Sequence, residues 1–287
     1  MSVTPFLRLL RPAQWVKNTL VVVAAISSHR LLAPEVALTL LRLFVAMNLL
    51  ASAVYVFNDA LDRQHDRRHP QKKSRPFASG ELPVLHAYWL LPLLLGLAAL
   101  LAWPMPAVVG WLLTGYLALN MLYSLALKRV PWLDVVVLAS LYAGRVLVGA
   151  FAIGVLPSEW LLAFAMFIFV SLAALKRLIE LREAEGDLPG RGYRHEDVPV
   201  LLGFGAASAV AAVLVMALYV SSDAVTVLYA RPTWLWGICA LLWYWLARIW
   251  TLSNRGQLHH DPVLFAIRDG ASWATAVLIG ACALLAT

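Results

Sequence analysis

The strongest constraint on this chain is a succession of long apolar stretches joined by short polar or proline-bearing connections. A bilayer core of ~30 Å needs roughly 20 apolar residues in a helix. Nine stretches approach that measure: Trp15–Leu32, Val36–Phe57, Val84–Trp103, Val108–Leu127, Leu133–Ile153, Leu161–Leu175, Val198–Val220, Thr233–Trp250 and Val263–Leu285. The first is interrupted by Ser and His, and the sixth is short. Their apolar residues run on without alternation, which excludes barrel strands and predicts helices. The expected fold is therefore all-α, a nine-helix polytopic bundle forming one integral membrane domain over residues 1–287.

Composition supports this. Residues of the AVILMFWYC class make up 62% of the chain and charged residues 14%, against ~45–50% and ~25% in soluble domains. A soluble core of this size cannot hide that excess, so a soluble enzyme, a disordered chain and a disulfide scaffold are excluded. Cys239 and Cys282 both lie in apolar stretches and read as small buried hydrophobes. The opening segment, Met1-Ser2-Val3 to Trp15, has no apolar core ending in a small-residue cleavage site. No cleaved signal peptide is expected.

The 23 Lys and Arg against 16 Asp and Glu give a net charge of +7, and their placement gives it meaning. Arg8, Arg11 and Lys17, the group from Arg63 to Arg75, Lys128 and Arg129, the group from Lys176 to Arg194, and Arg248, Arg255 and Arg268 fall on one side of the alternating connections. Arg30 and Arg231 fall on the other. The positive-inside rule makes the crowded side cytoplasmic, with the N-terminus inside, as expected for a bacterial inner or plasma membrane protein. Because the basic residues are dispersed between spans and interleaved with acids, no nucleic-acid partner is expected.

The connection after the second stretch departs from mere topology. It reads Asn58-Asp59-Ala60-Leu61-Asp62-Arg63-Gln64-His65-Asp66-Arg67-Arg68-His69-Pro70, then Gln71-Lys72-Lys73-Ser74-Arg75-Pro76. Asp59, Asp62 and Asp66 are spaced i, i+3, i+7 and share one face of a continuing helix. Three adjacent carboxylates repel unless cations compensate. Hard oxygen donors suit Mg²⁺, which is held by a few carboxylates together with substrate phosphates. Lys72, Lys73 and Arg75 supply donors for phosphate oxygens. The plain alternative is a solvated helix end whose acids pair with Arg63 and Arg67.

The connection after the sixth stretch reads Lys176-Arg177-Leu178-Ile179-Glu180-Leu181-Arg182-Glu183, then Gly190-Arg191-Gly192-Tyr193-Arg194-His195-Glu196-Asp197. Lys176 and Arg177 are spaced to pair with Glu180 on a helix surface, as Glu183 and Glu185 are with their own neighbours. The Gly-Arg-Gly-Tyr-Arg run offers flexible backbone and two guanidinium groups to an anionic headgroup.

At these residues the chain resembles a known family. Asn58-Asp59-x-x-Asp62-x-x-x-Asp66 is similar to the first aspartate-rich motif of the UbiA superfamily of intramembrane prenyltransferases. The resemblance implies nine helices around a central cavity open to the cytoplasmic face, with Mg²⁺ and a diphosphate substrate. Members acting on aromatic acceptors usually carry a second acidic motif, of the DxxxD kind, after span six, where this chain has Lys176-Arg177-x-x-Glu180-Leu181. That segment, the opening Arg11-Pro12-x-Gln14-Trp15-Val16-Lys17-Asn18, and His69-Pro70 followed by Lys73-x-Arg75-Pro76 resemble the decaprenyl-phosphate phosphoribosyltransferase branch. This branch implies transfer of 5-phosphoribose from 5-phosphoribosyl 1-diphosphate to a polyprenyl phosphate. Asp59, Asp62 and Asp66 are then the catalytic acids and, with Asn58, the Mg²⁺ ligands. Lys73 and Arg75 are expected on the donor's phosphates. Lys176, Arg177, Glu180, Arg191, Tyr193 and Arg194 are expected around the second anion, and Lys17 and Asn18 where the lipid phosphate arrives.

Ionisable residues within spans complete the expectation. Asp134 and Arg145 lie eleven residues apart on one face of span five, which is to turn inward or toward a wet cavity. Tyr123 and Lys128 end span four on the same side and are expected at the cavity mouth. His259-His260-Asp261 lacks the spacing of a zinc site. Two other classes remain beside the phosphoribosyl transferase: a prenyltransferase using a polyprenyl diphosphate and a small acceptor, and a transporter or lipid-binding scaffold. The last calls for polar residues at the midplane of several helices, whereas here they gather at one set of helix ends.

Overall fold

The computed structural model describes residues 4–68, 72–184, 186–188, 190–259 and 261–287. The opening Met1 to Val3, the His69-Pro70-Gln71 segment, Glu185, Pro189 and His260 lie outside the described residues. Every regular element among the described residues is helical. Six helices are long and apolar enough to cross a bilayer, or seven if one bent pair is counted as a span. The chain is thus an all-helical, multi-pass membrane protein, but two of the nine expected stretches are not uninterrupted α-helices and a third is short. The described chain gathers into two compact units, Met1–Leu125 with Gly144–Pro157, and Ala126–Ala143 with Ser158–Thr287.

The first unit holds α1 (Thr4–Leu10), α2 (Val23–Ser27), α3 (Pro34–Leu61), α4 (Arg63–Asp66), α5 (Pro76–Ser79), α6 (His86–Ala102) and α7 (Ala107–Leu125). It also takes the second half of α8 (Leu133–Ala152), whose first half belongs to the other unit. Proline at the first turn of α3 fixes its entry, where no N–H is missed. At 17 residues α6 is shorter than a full span. Phe77 of α5 is fully buried with Leu9, Ala53, Val56 and Leu90, which clamps α1, α3, α5 and α6 together.

The expected first span, Trp15–Leu32, is instead a 3-10 helix, Pro12–Val22, running into the five residues of α2. Long 3-10 runs are uncommon because their hydrogen-bond geometry is poorer, so tertiary contacts must hold this one. Trp15 Nε1 donates to Ser52 Oγ at 3.1 Å, and Asn18 Nδ2 donates to Asn48 Oδ1 at 2.7 Å. Val21 O lies 2.0 Å from where a Cβ on Gly149 would stand. The two hydrogen bonds tie the segment to α3, and Gly149 lets it lie against α8.

The second unit contains the first half of α8, α9 (Glu159–Glu183), α10 (Val198–Val220), α11 (Asp223–Leu228), α12 (Leu235–Asn254), α13 (Pro262–Arg268) and α14 (Gly270–Ala286). The sixth stretch, short in sequence, becomes the 25-residue α9, capped by Ser158 Oγ accepting from Leu161 N at 3.2 Å. The last stretch is not one span. Helices α13 and α14 meet at 84°, because Asp269 adopts an extended backbone and caps α14. Its carboxylate accepts from Ser272 N at 2.8 Å and from both terminal nitrogens of Arg248 at 2.6 and 2.9 Å. Gly205 admits Trp250, whose ring would come within 2.4 Å of a Cβ there. Trp250 Nε1 then donates to Ser171 Oγ at 3.1 Å, tying α12 to α9.

Candidate functional site

The acidic cluster forms where α3 gives way to α4. Asp62 closes α3 with φ −86° and ψ 5°. Backbone bonds from Asp62 N to Asn58 O and from Asp66 N to Asp62 O, both 2.8 Å, carry helical spacing across the junction. Asp59 and Asp66 consequently meet at one atom, since Arg75 Nη1 donates to Asp59 Oδ1 at 3.0 Å and to Asp66 Oδ2 at 2.7 Å. Asp59 Oδ1 also accepts from Arg11 Nη2 at 2.5 Å, and Arg11 lies over the Tyr55 ring, 4.8 Å from its centroid. Both carboxylates are 2% exposed, whereas Arg11 and Arg75 are 27% and 26% exposed. Asp62 is half-buried.

The compensating cations differ from the sequence alternative. Arg67 donates from Nε to Ala78 O at 3.0 Å, anchoring the loop instead. Arg11 joins the site without having been expected there; its place at the head of the Arg11-Pro12 motif is the only sequence signal, and the structure gives it a left-handed backbone at φ 51°.

Do these residues suit a hard divalent cation? Two carboxylates converge on one point, and the neighbouring Asn58 Oδ1 is buried with no hydrogen-bond partner among the described residues. Among the described residues no group of three His, Cys, Asp or Glu side chains is arranged to hold a metal on its own, so the protein's share is two carboxylates and an amide oxygen. That is the donor set Mg²⁺ favours, one or two carboxylates with the remaining positions left to water and phosphate. The residues fit.

The other expected residues of the first unit are placed separately. Lys73 is exposed and Tyr123 is half-buried. Lys17 and Asn18 are buried, at 8% and 1% exposure. Arg145 donates from Nε to Asn18 Oδ1 at 2.8 Å and lies 5.1 Å from the Tyr116 ring centroid. Arg145 and Asn18 thus belong to the network that pins the 3-10 segment.

In the second unit the centre is Asp134, fully buried in the first turn of α8. It accepts from Arg177 Nε and, at 2.6 Å, from the Tyr193 hydroxyl, with Arg191 Nη1 at 3.9 Å. Arg177 also donates from Nη1 to Glu180. The Tyr193 hydroxyl accepts from Trp132 N at 2.8 Å. Burial and donation to Asp134 raise the Tyr193 phenol well above its usual range. Gly192, at φ 71°, allows the close approach, since a Cβ there would sit 2.5 Å from Arg129 O. Arg177 and Tyr193 are each 1% exposed, so both act as internal ties, where the sequence suggested contact with an anion. Lys176 Nζ reaches Asp261 at 3.1 Å, while Arg194 is exposed and Lys128 and Arg191 are half-buried. Asp134 and Arg145, expected on one inward-turned face of span five, are both buried, at 0% and 7% exposure, and each is engaged within its own unit.

Comparison with known proteins follows the same lines. The family model described as the UbiA prenyltransferase family matches residues 18–273. The uncharacterized protein y4nM of Sinorhizobium fredii is 35% identical over 288 residues, covering 96% of this chain and 55% of that protein. Nodulation protein NoeC of Azorhizobium caulinodans is 34% identical over 267 residues, covering 91% and 86%. Decaprenyl-phosphate phosphoribosyltransferase of Mycolicibacterium smegmatis is 34% identical over 187 residues, 64% of this chain and 59% of that one. The chain therefore spans little more than half the length of two of these relatives. A solved UbiA homolog from Archaeoglobus fulgidus bound to DMAPP and Mg²⁺ superposes with a TM-score of 0.73 at 17% identity, covering 98% of both chains.

Proposed function

The chain belongs to the UbiA prenyltransferase family and is a transferase, and from that premise we propose that it moves 5-phosphoribose from 5-phosphoribosyl 1-diphosphate to a polyprenyl phosphate at the cytoplasmic face of the membrane. The observation that carries this reading is the buried Asp59–Asp66 pair gathered on Arg75 beside the unpartnered Asn58 Oδ1. Asp59, Asp62, Asp66 and Asn58 would hold Mg²⁺. When bound, the ion offsets negative charge developing on the departing diphosphate. Arg75 and exposed Lys73 orient the donor's phosphates. Charge stabilisation on the leaving group is the main demand of such a transfer.

The acceptor oxygen of the lipid phosphate forms the new bond to C1 of the ribose as the C1–diphosphate oxygen bond breaks. No general base is needed, because a phosphate monoester is already ionised near neutral pH. Lys176, Arg191 and Arg194 are assigned to the second anionic group, with Arg177 and Tyr193 fixing the segment that carries them. Similarity to the mycolicibacterial phosphoribosyltransferase supports this choice, as does the Lys176-Arg177 pair in place of a second acidic motif. The nine-helix count and the cytoplasmic N-terminus belong to the same proposal.

A second reading, prenyl transfer from a polyprenyl diphosphate to a small acceptor, is favoured by the DMAPP and Mg²⁺ of the structural neighbour. One experiment separates the two. Purified protein is given Mg²⁺, polyprenyl phosphate and 5-phosphoribosyl 1-diphosphate labelled in the ribose. Label entering the lipid phase supports phosphoribosyl transfer. Its absence, with product from polyprenyl diphosphate and an aromatic acid, establishes the second reading.

A further inference from the structure

We propose that Arg75, assisted by Arg11, is an exchangeable cation of the acid cluster, competing with the divalent ion for the same carboxylate oxygens and yielding them when a diphosphate arrives. The inference rests on the Mg²⁺ reading above and adds an order of events to it. Asp59 Oδ1 is shared by both guanidinium groups, and Asp66 Oδ2 is taken by Arg75. A divalent ion approaching to 2.0–2.1 Å of such oxygens leaves no room for an N–H donor on the same lone pairs. Two buried carboxylates, Asp59 and Asp66, are held by two guanidinium groups here, so a dication arriving alone meets two resident positive charges close by. A dication arriving with a diphosphate brings acceptors for the displaced guanidinium groups, which match phosphate geometry in bidentate fashion. Metal and anion then each favour the other's binding, as linkage requires.

The local structure confines the exchange to side chains. Arg75 sits in extended backbone immediately before Pro76. Its N–H donates to Lys72 O at 3.0 Å, and its carbonyl accepts from Ser79 N at 2.8 Å. Two residues on, Phe77 is fully buried in the core of the unit. The backbone is therefore anchored, while a side chain 26% exposed on one flank has space to swing from carboxylate to phosphate. Arg11 is similarly accessible at 27% and is paired with Asp59, not Asp66, among the described residues.

The test uses the detergent-solubilised full chain, with Mn²⁺ as the probe metal and inorganic diphosphate as the anion. Arg75→Gln is expected to bind Mn²⁺ alone about tenfold more tightly than the unaltered protein, and diphosphate at saturating Mn²⁺ about tenfold more weakly. Arg11→Gln should shift both in the same directions by less. Opposite signs are the signature, since damage to the fold would weaken both. Should Arg75→Gln fail to fold, Arg75→Lys serves, because a single ammonium cannot replace the fork and should give the same signs at smaller amplitude. Unchanged or weaker Mn²⁺ binding in the Arg75 variant, with Asp66→Asn still abolishing it, overturns the competition and leaves the metal assignment standing. No Mn²⁺ binding by the unaltered protein, with or without diphosphate, overturns both.

Discussion

The two units each pair carboxylates with arginine, yet they bury different partners. In the first, Asp59 and Asp66 are buried while Arg11 and Arg75 remain about one quarter exposed. In the second, Asp134, Arg177 and Tyr193 are all sealed, at 0%, 1% and 1% exposure. A half-wet pair has a screened interaction and a ready exchange partner in solvent or substrate. A sealed pair has neither, and loss of one member leaves an uncompensated buried charge. The same chemical pairing thus serves exchange in one place and architecture in the other.

Substitutions should separate these roles. The largest effect is expected from Asp66→Ala or Asp62→Ala, which should abolish Mg²⁺-dependent transfer while the protein still inserts in the membrane and melts within a few degrees of the unaltered chain. Activity retained in both variants would break the first half of the comparison. Asp134→Ala should cost about 3 kcal/mol, because the buried Arg177 Nε and Tyr193 hydroxyl lose their acceptor while Arg177 keeps only Glu180 at its other nitrogen, read as a drop in thermal stability in detergent. If Asp134→Ala melts normally and loses only turnover, the second cluster is catalytic rather than architectural.

Smaller effects refine the contrast. Tyr193→Phe removes a donor to Asp134 and an acceptor for Trp132 N, and should cost about 1–3 kcal/mol. Because the folded state raises the Tyr193 phenol above its ordinary 10.0, its contribution is complete below that value and is lost as pH rises past it. The stability difference between the unaltered chain and Tyr193→Phe should accordingly be flat to about pH 9 and shrink above 10. Arg194→Ala should be the mildest for stability, within about 0.5 kcal/mol, as it removes an exposed side chain. A weakened affinity for the phosphorylated co-substrate in that variant would support Arg194 as an anion ligand.

How much of this was legible in advance differs by residue. Asn58, Asp59 and Asp66 could be singled out because helical spacing is local, and backbone bonds across Asp62 preserve it. Arg11 was not legible as a partner of Asp59, since 48 residues separate them and only packing of α1 against α3 closes the distance. Arg177 looked like an anion ligand beside Lys176 in sequence. Its neighbour is read from the helix, but its burial against Asp134 depends on a helix 43 residues away.

The sequence by itself determined the solvent, the helical class and the acid face at the end of α3, because apolar run length and helical period are properties of the chain alone. Tertiary structure decided which apolar stretches stay α-helical. Asn48, Ser52 and Gly149 draw Pro12–Val22 into a 3-10 helix, and Arg248 with Ser272 breaks the last stretch at Asp269. It also decided which charges are exchangeable and which are sealed, because exposure is set by neighbours brought in from elsewhere in the chain.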